Sequence, residues 1–389
     1  MIMAERLTEK TAFISDIKKN KIGEFGKMKR NVIIFHTTDR GACSWVRFRF
    51  MVGLLETNVG GEVVPVISPY EVTEPEVLKR TAAVIVARPM FQIHGDLLER
   101  YKAKRTEFGF KVFADYDDLL CDIDGEKTIP DYNRFQVDPR EIGKVMEKSC
   151  AGLDGVTVAS EFLKDTLERR FGWNNVQVLP NTVPGFAYGT APRRGVESDI
   201  VKPRVLYAGS MSHFKAGHLG DFEGPWVPWM RKAAAEGAIE LHCFGHRAPD
   251  FLEGVDVALH PFVPALAFPQ ALAAIRSDIY LAPLQDNDFN RCKSDLKLLE
   301  AAAIGAALLG SDFKDSPYSH AHPLSLVVPD FTPEGVGELV REICRKDSFN
   351  AILAHQRRLM EDGGRYTESN VSVLRFLKAY MGDVVGCIS

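Results

Sequence analysis

Short apolar runs recur along this chain and alternate with longer stretches whose apolar positions repeat at helical spacing. In the front part the runs are Asn31–Phe35, Glu62–Ile67, Ala82–Ala87, Phe110–Ala114, Gly155–Ala159 and Val176–Leu179. Helices are predicted between them near Ser44–Glu56, Ile93–Arg105, Pro139–Ser149 and Ser160–Arg170, with Ser160 well suited to cap the last. The strands are apolar throughout rather than alternating, and most are followed by a helix. That pattern predicts a parallel sheet covered on both faces.

A Gly- and Pro-rich polar stretch, Pro184–Asp199, reads as a linker. The alternation then restarts with strands at Arg204–Ala208, Ile239–Phe244, Val257–Phe262, Asp278–Leu284, Ala306–Gly310 and Leu324–Val328. Helices are expected near Pro225–Ala235, Ala265–Ile275, Lys293–Ile304 and Pro333–Cys344, with a helical tail at Phe349–Glu361 and Thr367–Met381. The organisation expected is a basic leader over 1–30, a Rossmann-like domain over 31–185 and a linker over 186–203. A second Rossmann-like domain over 204–345 and C-terminal helices over 346–389 follow. The fold class is α/β, with two doubly wound domains facing a cleft where both sets of strand ends meet one ligand.

Composition narrows the class. The 389 residues suit two domains, and 46% hydrophobic with 26% charged residues is ordinary for a globular enzyme. Lys and Arg number 48 against 52 Asp and Glu, which excludes a general polyanion binder. Lys18, Lys19, Lys21, Lys27, Lys29 and Arg30 form a local basic cluster in the leader. No apolar run is long enough to span a bilayer, and the start lacks a signal-peptide core. Seven scattered cysteines, with no Cys-x-x-Cys pair, fit free thiols in the cytoplasm better than disulfides or zinc.

Candidate chemistry concentrates in the second half. After the strand Asp278–Leu284 comes a segment in which Lys293, Lys297 and Glu300 recur at spacings of four and three, one face of a helix. Two ammonium groups near a helix start, beside backbone N–H groups with no helical partner, make a place for a diphosphate. A carboxylate one turn on can accept from ribose hydroxyls. Upstream, the strand Val205–Ala208 runs into Gly209 and Ser210, followed by His213 and Lys215. The glycine permits close backbone approach, and the other three offer donors to phosphate oxygens.

With these residues in place, the second half resembles the nucleotide-binding domain of GT-B fold glycosyltransferases of the group 1 type. In that family a Gly-rich turn after the domain's first strand faces the diphosphate, and a late Lys…Glu helix holds phosphate and ribose. The matching positions are Gly209, Ser210 and Lys215, then Lys293, Lys297 and Glu300. The resemblance implies a nucleoside-diphosphate sugar such as a UDP-sugar as donor, no metal, and retention of anomeric configuration. It also implies a tail helix that crosses back onto the first domain. Many members carry a Glu eight positions before the second one; here Cys292 stands there, with Asn290, Arg291 or Lys293 as substitutes.

The first half adds the acceptor side. A loop and helix with Gly41, Trp45, Arg47 and Arg49 resemble the acceptor loop of the same family and of phage-type relatives that glycosylate modified DNA bases. Arg47 and Arg49 lie two apart, so one of them should face inward. The acidic cluster Asp115, Asp117, Asp118, Asp122 and Asp124 follows a strand, and Arg88 and His94 lie after another. Asp117 or Asp118 is a candidate base for an inverting route, and Arg88 is a further catalytic candidate at its own strand end; binding of acceptor hydroxyls, cation binding and helix capping compete as readings of the acidic cluster.

The function expected is therefore sugar transfer to a hydroxyl of a glycan, or of a hydroxymethylated base in phage DNA. Charges cancel over residues 1–190, which ranks DNA second. Asp115-x-Asp117 after a strand also suggests a haloacid-dehalogenase-like, metal-dependent phosphatase, ranked lower because several strands precede it. A non-catalytic nucleotide-sugar-binding protein is the remaining alternative. Oligomeric state is not legible.

Overall fold

The computed structural model describes residues 30–37, 41–58, 63–122, 127–130, 137–188, 195–209, 213–214, 218–245 and 249–382. Residues 1–29 of the leader, Asp124, Ser210 and Lys215 lie outside them. The chain forms two compact units. One comprises residues 1–117, 142–180 and 367–389; the other comprises 118–141 and 181–366.

The first unit is built on a parallel sheet in the order β2-β1-β3-β4-β5-β6. Its strands are β1 (Val32–His36), β2 (Val64–Ser68), β3 (Thr81–Ala87), β4 (Lys111–Tyr116), β5 (Gly155–Val158) and β6 (Val176–Val178). Every residue of β1 and β5 is buried, as expected of strands covered on both faces. Ser160 caps the helix Glu161–Phe171 by accepting from Leu163 N at 3.2 Å. The helix Asn370–Met381 packs on this unit: Phe376 meets Phe35 at 5.8 Å, and the Tyr380 and Thr157 hydroxyls lie 3.0 Å apart. A short helix at Pro75–Arg80 is an addition to the elements expected.

The helix expected at Ser44–Glu56 is not uniform. α-Helix at Ala42–Ser44 gives way to a π segment at Trp45–Arg49 and resumes at Phe50–Asn58. The wider turn changes which residues share a face. Arg47 and Phe48 are the buried residues of the π segment, while Arg49 stays half-exposed, its Nε donating to Ser44 Oγ at 2.9 Å.

The second unit repeats the plan with order β12-β11-β10-β7-β8-β9, again all parallel. Its strands are β7 (Arg204–Ala208), β8 (Glu240–Phe244), β9 (Val257–His260), β10 (Ile279–Ala282), β11 (Ala307–Ser311) and β12 (Leu326–Val327). Alternate residues of each strand serve opposite faces. Val205, Tyr207, Ile279 and Leu281 pack with Trp226, Trp229, Val336, Val340 and Phe349. Leu206, Ala208, Tyr280 and Ala282 pack with Leu272, Leu298, Leu299 and Ala302. The helix Lys346–Asp362 joins this unit through Gln356, whose amide accepts from Leu308 N at 3.0 Å and donates to Ala306 O at 2.8 Å.

One expected helix needs correction. Lys293 does not lie on a helix with Lys297 and Glu300. Asn287 caps a short helix, Asp288–Arg291, and the next helix runs from Leu296 to Ile304 with Asp295 at its N-cap. Lys293 occupies the turn between them, its N–H bonded to Asn290 O at 3.1 Å. The Asn287 side chain caps the first helix by accepting from Asn290 N at 2.9 Å, and the second helix starts afresh at Asp295, whose carboxylate makes no capping bond, so the periodic run is split in two.

Candidate functional site

In the second unit the chain leaves β7 toward β8 and β9, then returns to β10 on the other flank of β7. This reversal opens a crevice outside the carboxyl ends of β7 and β10, where doubly wound sheets take their ligands. The loops bordering it carry Gly209 and His213 on one side and Gln285–Asp295 on the other.

Gly209 is required by its surroundings, since a Cβ there would stand 2.3 Å from the Tyr207 hydroxyl. That hydroxyl is buried with no hydrogen-bond partner among the described residues, and the ring is pinned edge-on against Phe222 at 4.7 Å. Gly220 has φ +57°, and a Cβ there would meet the His213 carbonyl oxygen at 2.1 Å. Only glycine allows this fold-back, which brings Asp221 to His213.

Asp221 is 1% exposed and joins the two loops. Its Oδ2 lies 2.8 Å from His213 Nδ1, while Oδ1 accepts from Asn290 Nδ2 at 2.6 Å and Gln285 N at 3.1 Å. Burial works against the charged carboxylate, yet the His213 hydrogen bond and charge hold Asp221 below its ordinary range. Burial likewise lowers His213; the bond to Asp221 opposes this, and the charges of Lys293 and Lys297 add to it. Their field at His213 puts both lysines near the loop after β7. Asn290 also donates to Gln285 O at 3.0 Å, and its buried Oδ1 has no partner among the described residues.

The helix Leu296–Ile304 presents the third part. Lys297 Nζ lies 2.8 Å from Glu300 Oε2, and the Tyr280 hydroxyl donates to the same oxygen at 2.7 Å. Burial, then the Glu300 charge, raise the Tyr280 phenol well above its usual range, so it stays protonated and donates. Asp295, at the helix start, takes Arg365 through two bonds of 2.9 and 2.6 Å and His320 at 2.9 Å. Arg365 in turn donates to Asn181 O at 3.0 Å, and Asn181 to Ser294 Oγ at 2.7 Å. These bonds fix where the helix begins. Lys293 lies over the Phe289 ring at 4.5 Å, with Asp118 Oδ1 3.9 Å from its Nζ.

Beside this crevice a cavity of about 570 Å³ opens at the ends of β10, β11 and β12. Trp226, Phe313, Gln285, Asp286, Asn287 and Asp312 are among its walls.

In the first unit, β1 holds the equivalent place between β2 and β3. Arg88, at the end of β3, adopts φ 45°, a left-handed conformation that side chains other than glycine rarely take. It donates to Asp117 Oδ1 and approaches Cys43 Sγ at 3.0 Å. Burial works to raise the Asp117 carboxyl, but the Arg88 charge and hydrogen bond hold it low. A carboxylate so paired is a weak base at neutral pH. Arg47 is buried, giving Asp115 two bonds at 3.0 and 2.5 Å and a third bond to Leu179 O. Asp115 also accepts from Thr157 Oγ1 at 2.6 Å, so its carboxylate is enclosed rather than poised as a nucleophile. Trp45 lies half-buried against Phe50 at 5.2 Å, and Gly41 is exposed.

The structure thus brings together His213, Asn290, Lys293, Lys297 and Glu300 around the second unit's crevice. Gly209 opens one of its loops, and Ser210 and Lys215 are not described. Arg88 and Asp117 form a separate pair in the first unit. Asp221, Tyr280 and Asp295 are contributors that sequence reasoning missed. Tyr280 is buried in the middle of a strand, and Asp221 carries no spacing signal; an acid in a Gly-rich loop was the one hint. Among the described residues, no three His, Cys, Asp or Glu side chains are grouped to hold a metal. Nor is any described helix long and apolar enough to cross a membrane.

No protein-family model matches the chain, and no curated protein matches it in sequence. Solved structures do match. Anabaena HepE in complex with UDP-glucose superposes with a TM-score of 0.55 at 11% identity, covering 90% of this chain and 99% of that one. A UDP-forming α,α-trehalose-phosphate synthase from Burkholderia xenovorans gives 0.53 at 12% identity over 91% and 99%. S. aureus TarM, solved with UDP, gives 0.50 at 11% identity over 78% of this chain, which spans 55% of that one. At such identities the likeness concerns architecture, and this chain has the GT-B glycosyltransferase fold.

Proposed function

We propose that this chain is a glycosyltransferase that moves a sugar from a nucleoside-diphosphate sugar to an acceptor hydroxyl. The observation that carries the reading is the Lys297–Glu300–Tyr280 cluster at the start of a helix, beside two loops joined by Asp221. Lys293, Lys297 and the helix N-terminus supply positive potential for a departing diphosphate, the role a metal plays elsewhere. Glu300 accepts from ribose hydroxyls. The sugar reaches toward the cavity lined by Trp226, Phe313 and Asn287, whose mixed aromatic and polar walls suit a polyol.

The low-set Asp117 favours a retaining route over one that needs it as base. A UDP-sugar is the first donor to try, because HepE was solved with UDP-glucose and the trehalose-phosphate synthase is named UDP-forming. A glycan is the preferred acceptor and hydroxymethylated DNA the second. The enzyme works without a metal, in the cytoplasm. The test is release of nucleoside diphosphate from UDP-, ADP- and GDP-sugars, with chelator present, against glycan and hydroxymethylated duplex acceptors. Failure of every donor to bind or turn over rejects the reading. Duplex binding that weakens steeply with salt selects DNA; none at low salt removes it.

A further inference from the structure

We propose that Asp221 is a positioning residue that makes His213 take up a proton when a diphosphate binds at the crevice of the second unit. This rests on the nucleotide-sugar reading and adds to it the charge state in which the ligand is held. The Asp221 carboxylate can only accept, so His213 must donate from Nδ1, 2.8 Å away. That fixes the tautomer, and a neutral ring then turns a lone pair outward at Nε2. Among the described residues, Nε2 of His213 has no hydrogen-bond partner.

A phosphate oxygen is itself an acceptor. Facing an unprotonated Nε2 it would be repelled; facing Nε2–H of an imidazolium it gains a charge-assisted hydrogen bond. The charged groups facing His213 are Asp221 from its own loop, with Lys293 and Lys297 from across the crevice. In the empty site burial and the two lysines keep the ring neutral. A bound diphosphate cancels the lysine charges and leaves Asp221 to stabilise the imidazolium. Asp221 also holds Asn290 and Gln285, so one anion sets both the protonation partner and the facing loop.

The sign follows from linkage. The ring's pKa in the empty site lies below the ordinary histidine value and rises on binding, so complex formation consumes a proton between the two. Affinity is greatest on the acid side and falls, by up to about tenfold per pH unit, as pH rises through that window.

The experiment is calorimetric titration with UDP-glucose, ADP-glucose and GDP-mannose from pH 5.5 to 8.5, in paired buffers of different ionisation enthalpy. These diphosphate diesters do not themselves titrate at the phosphates in that range. The expected result is uptake of up to about one proton by the native chain, none with His213→Gln, and a window displaced to lower pH with Asp221→Asn. Thermal unfolding of each variant separates loop damage from proton linkage. Binding without proton uptake, or equal uptake by His213→Gln, overturns this inference and leaves the nucleotide-sugar reading standing. No binding of any of the three at any pH brings down both.

Discussion

Lys297 and Glu300, three apart on one helix, hold Nζ and Oε2 2.8 Å from each other, and Tyr280 donates to the same carboxylate oxygen at 2.7 Å. With Oε2 so occupied, Oε1 is the atom left for ribose hydroxyls. Glu300→Gln keeps the shape and removes the charge. Hydrogen bonds to a charged group are worth about 1.5–3 kcal/mol, so nucleotide affinity should fall roughly tenfold to a hundredfold. Titration calorimetry measures this, with circular dichroism to show that the fold persists. Unchanged affinity would remove Glu300 from the site.

Asp295 links the site to acid stability. Burial opposes its charge, but His320 and Arg365 hold its carboxyl below the ordinary value. A depressed carboxyl contributes stability that is complete above its unfolded pKa and is lost as pH falls through the folded one. Asp295→Asn should therefore lower the melting temperature at pH 7 and make progressively less difference below about pH 4, the ordinary aspartate range. Melting curves of both proteins at pH 7, 5 and 3 decide it; a constant gap would mean that the Asp295 charge is not what anchors the helix start.

Arg47 and Asp115 form a pair whose side chains are 3% and 2% exposed. Removing one member of such a pair leaves the other charged and buried, at a cost of about 3–5 kcal/mol. Arg47→Ala should destabilise the protein by that order in urea unfolding. Nucleotide affinity of the folded fraction should be unchanged, because Arg47 belongs to the first unit. A loss under 1 kcal/mol would show that Arg47 is more accessible than its contacts imply.

The two sheets were legible because parallel strands covered on both faces read as unbroken apolar runs, as β10 does throughout and β1 does from Val32 to Phe35. Lys297 and Glu300 were legible because spacing alone puts them on one helical face. Lys293 was misplaced for the opposite reason: spacing continues across Asp295, while the helix begins only there, where the Asp295 carboxylate is held by His320 and Arg365 from distant parts of the chain. The π segment at Trp45–Arg49 likewise leaves no periodic trace. The role of Asp221 was not legible, since its bond to Asn290 spans 69 positions and depends on the Gly220 fold-back. Local pattern reports elements; pairings across loops come only with tertiary structure.

Gly209 tests how far the crevice tolerates change. An alanine Cβ would stand 2.3 Å from the Tyr207 hydroxyl and 2.7 Å from the ring carbon that bears it. The ring cannot swing away, being packed against Phe222, so the backbone after β7 must shift and carry the loop toward His213 with it. Gly209→Ala should cost about 1–3 kcal/mol in stability and weaken nucleotide binding. Tyr207→Phe alone should be neutral or slightly stabilising, because the hydroxyl it removes is buried without a partner among the described residues. In the double variant the nearest atom is gone but the ring carbon remains, so relief is partial. Its loss should be smaller than the sum of the single effects, by more than the roughly 0.5 kcal/mol scatter of independent sites. Strict additivity in thermal and urea unfolding would show that Tyr207 is not what obliges position 209 to be glycine.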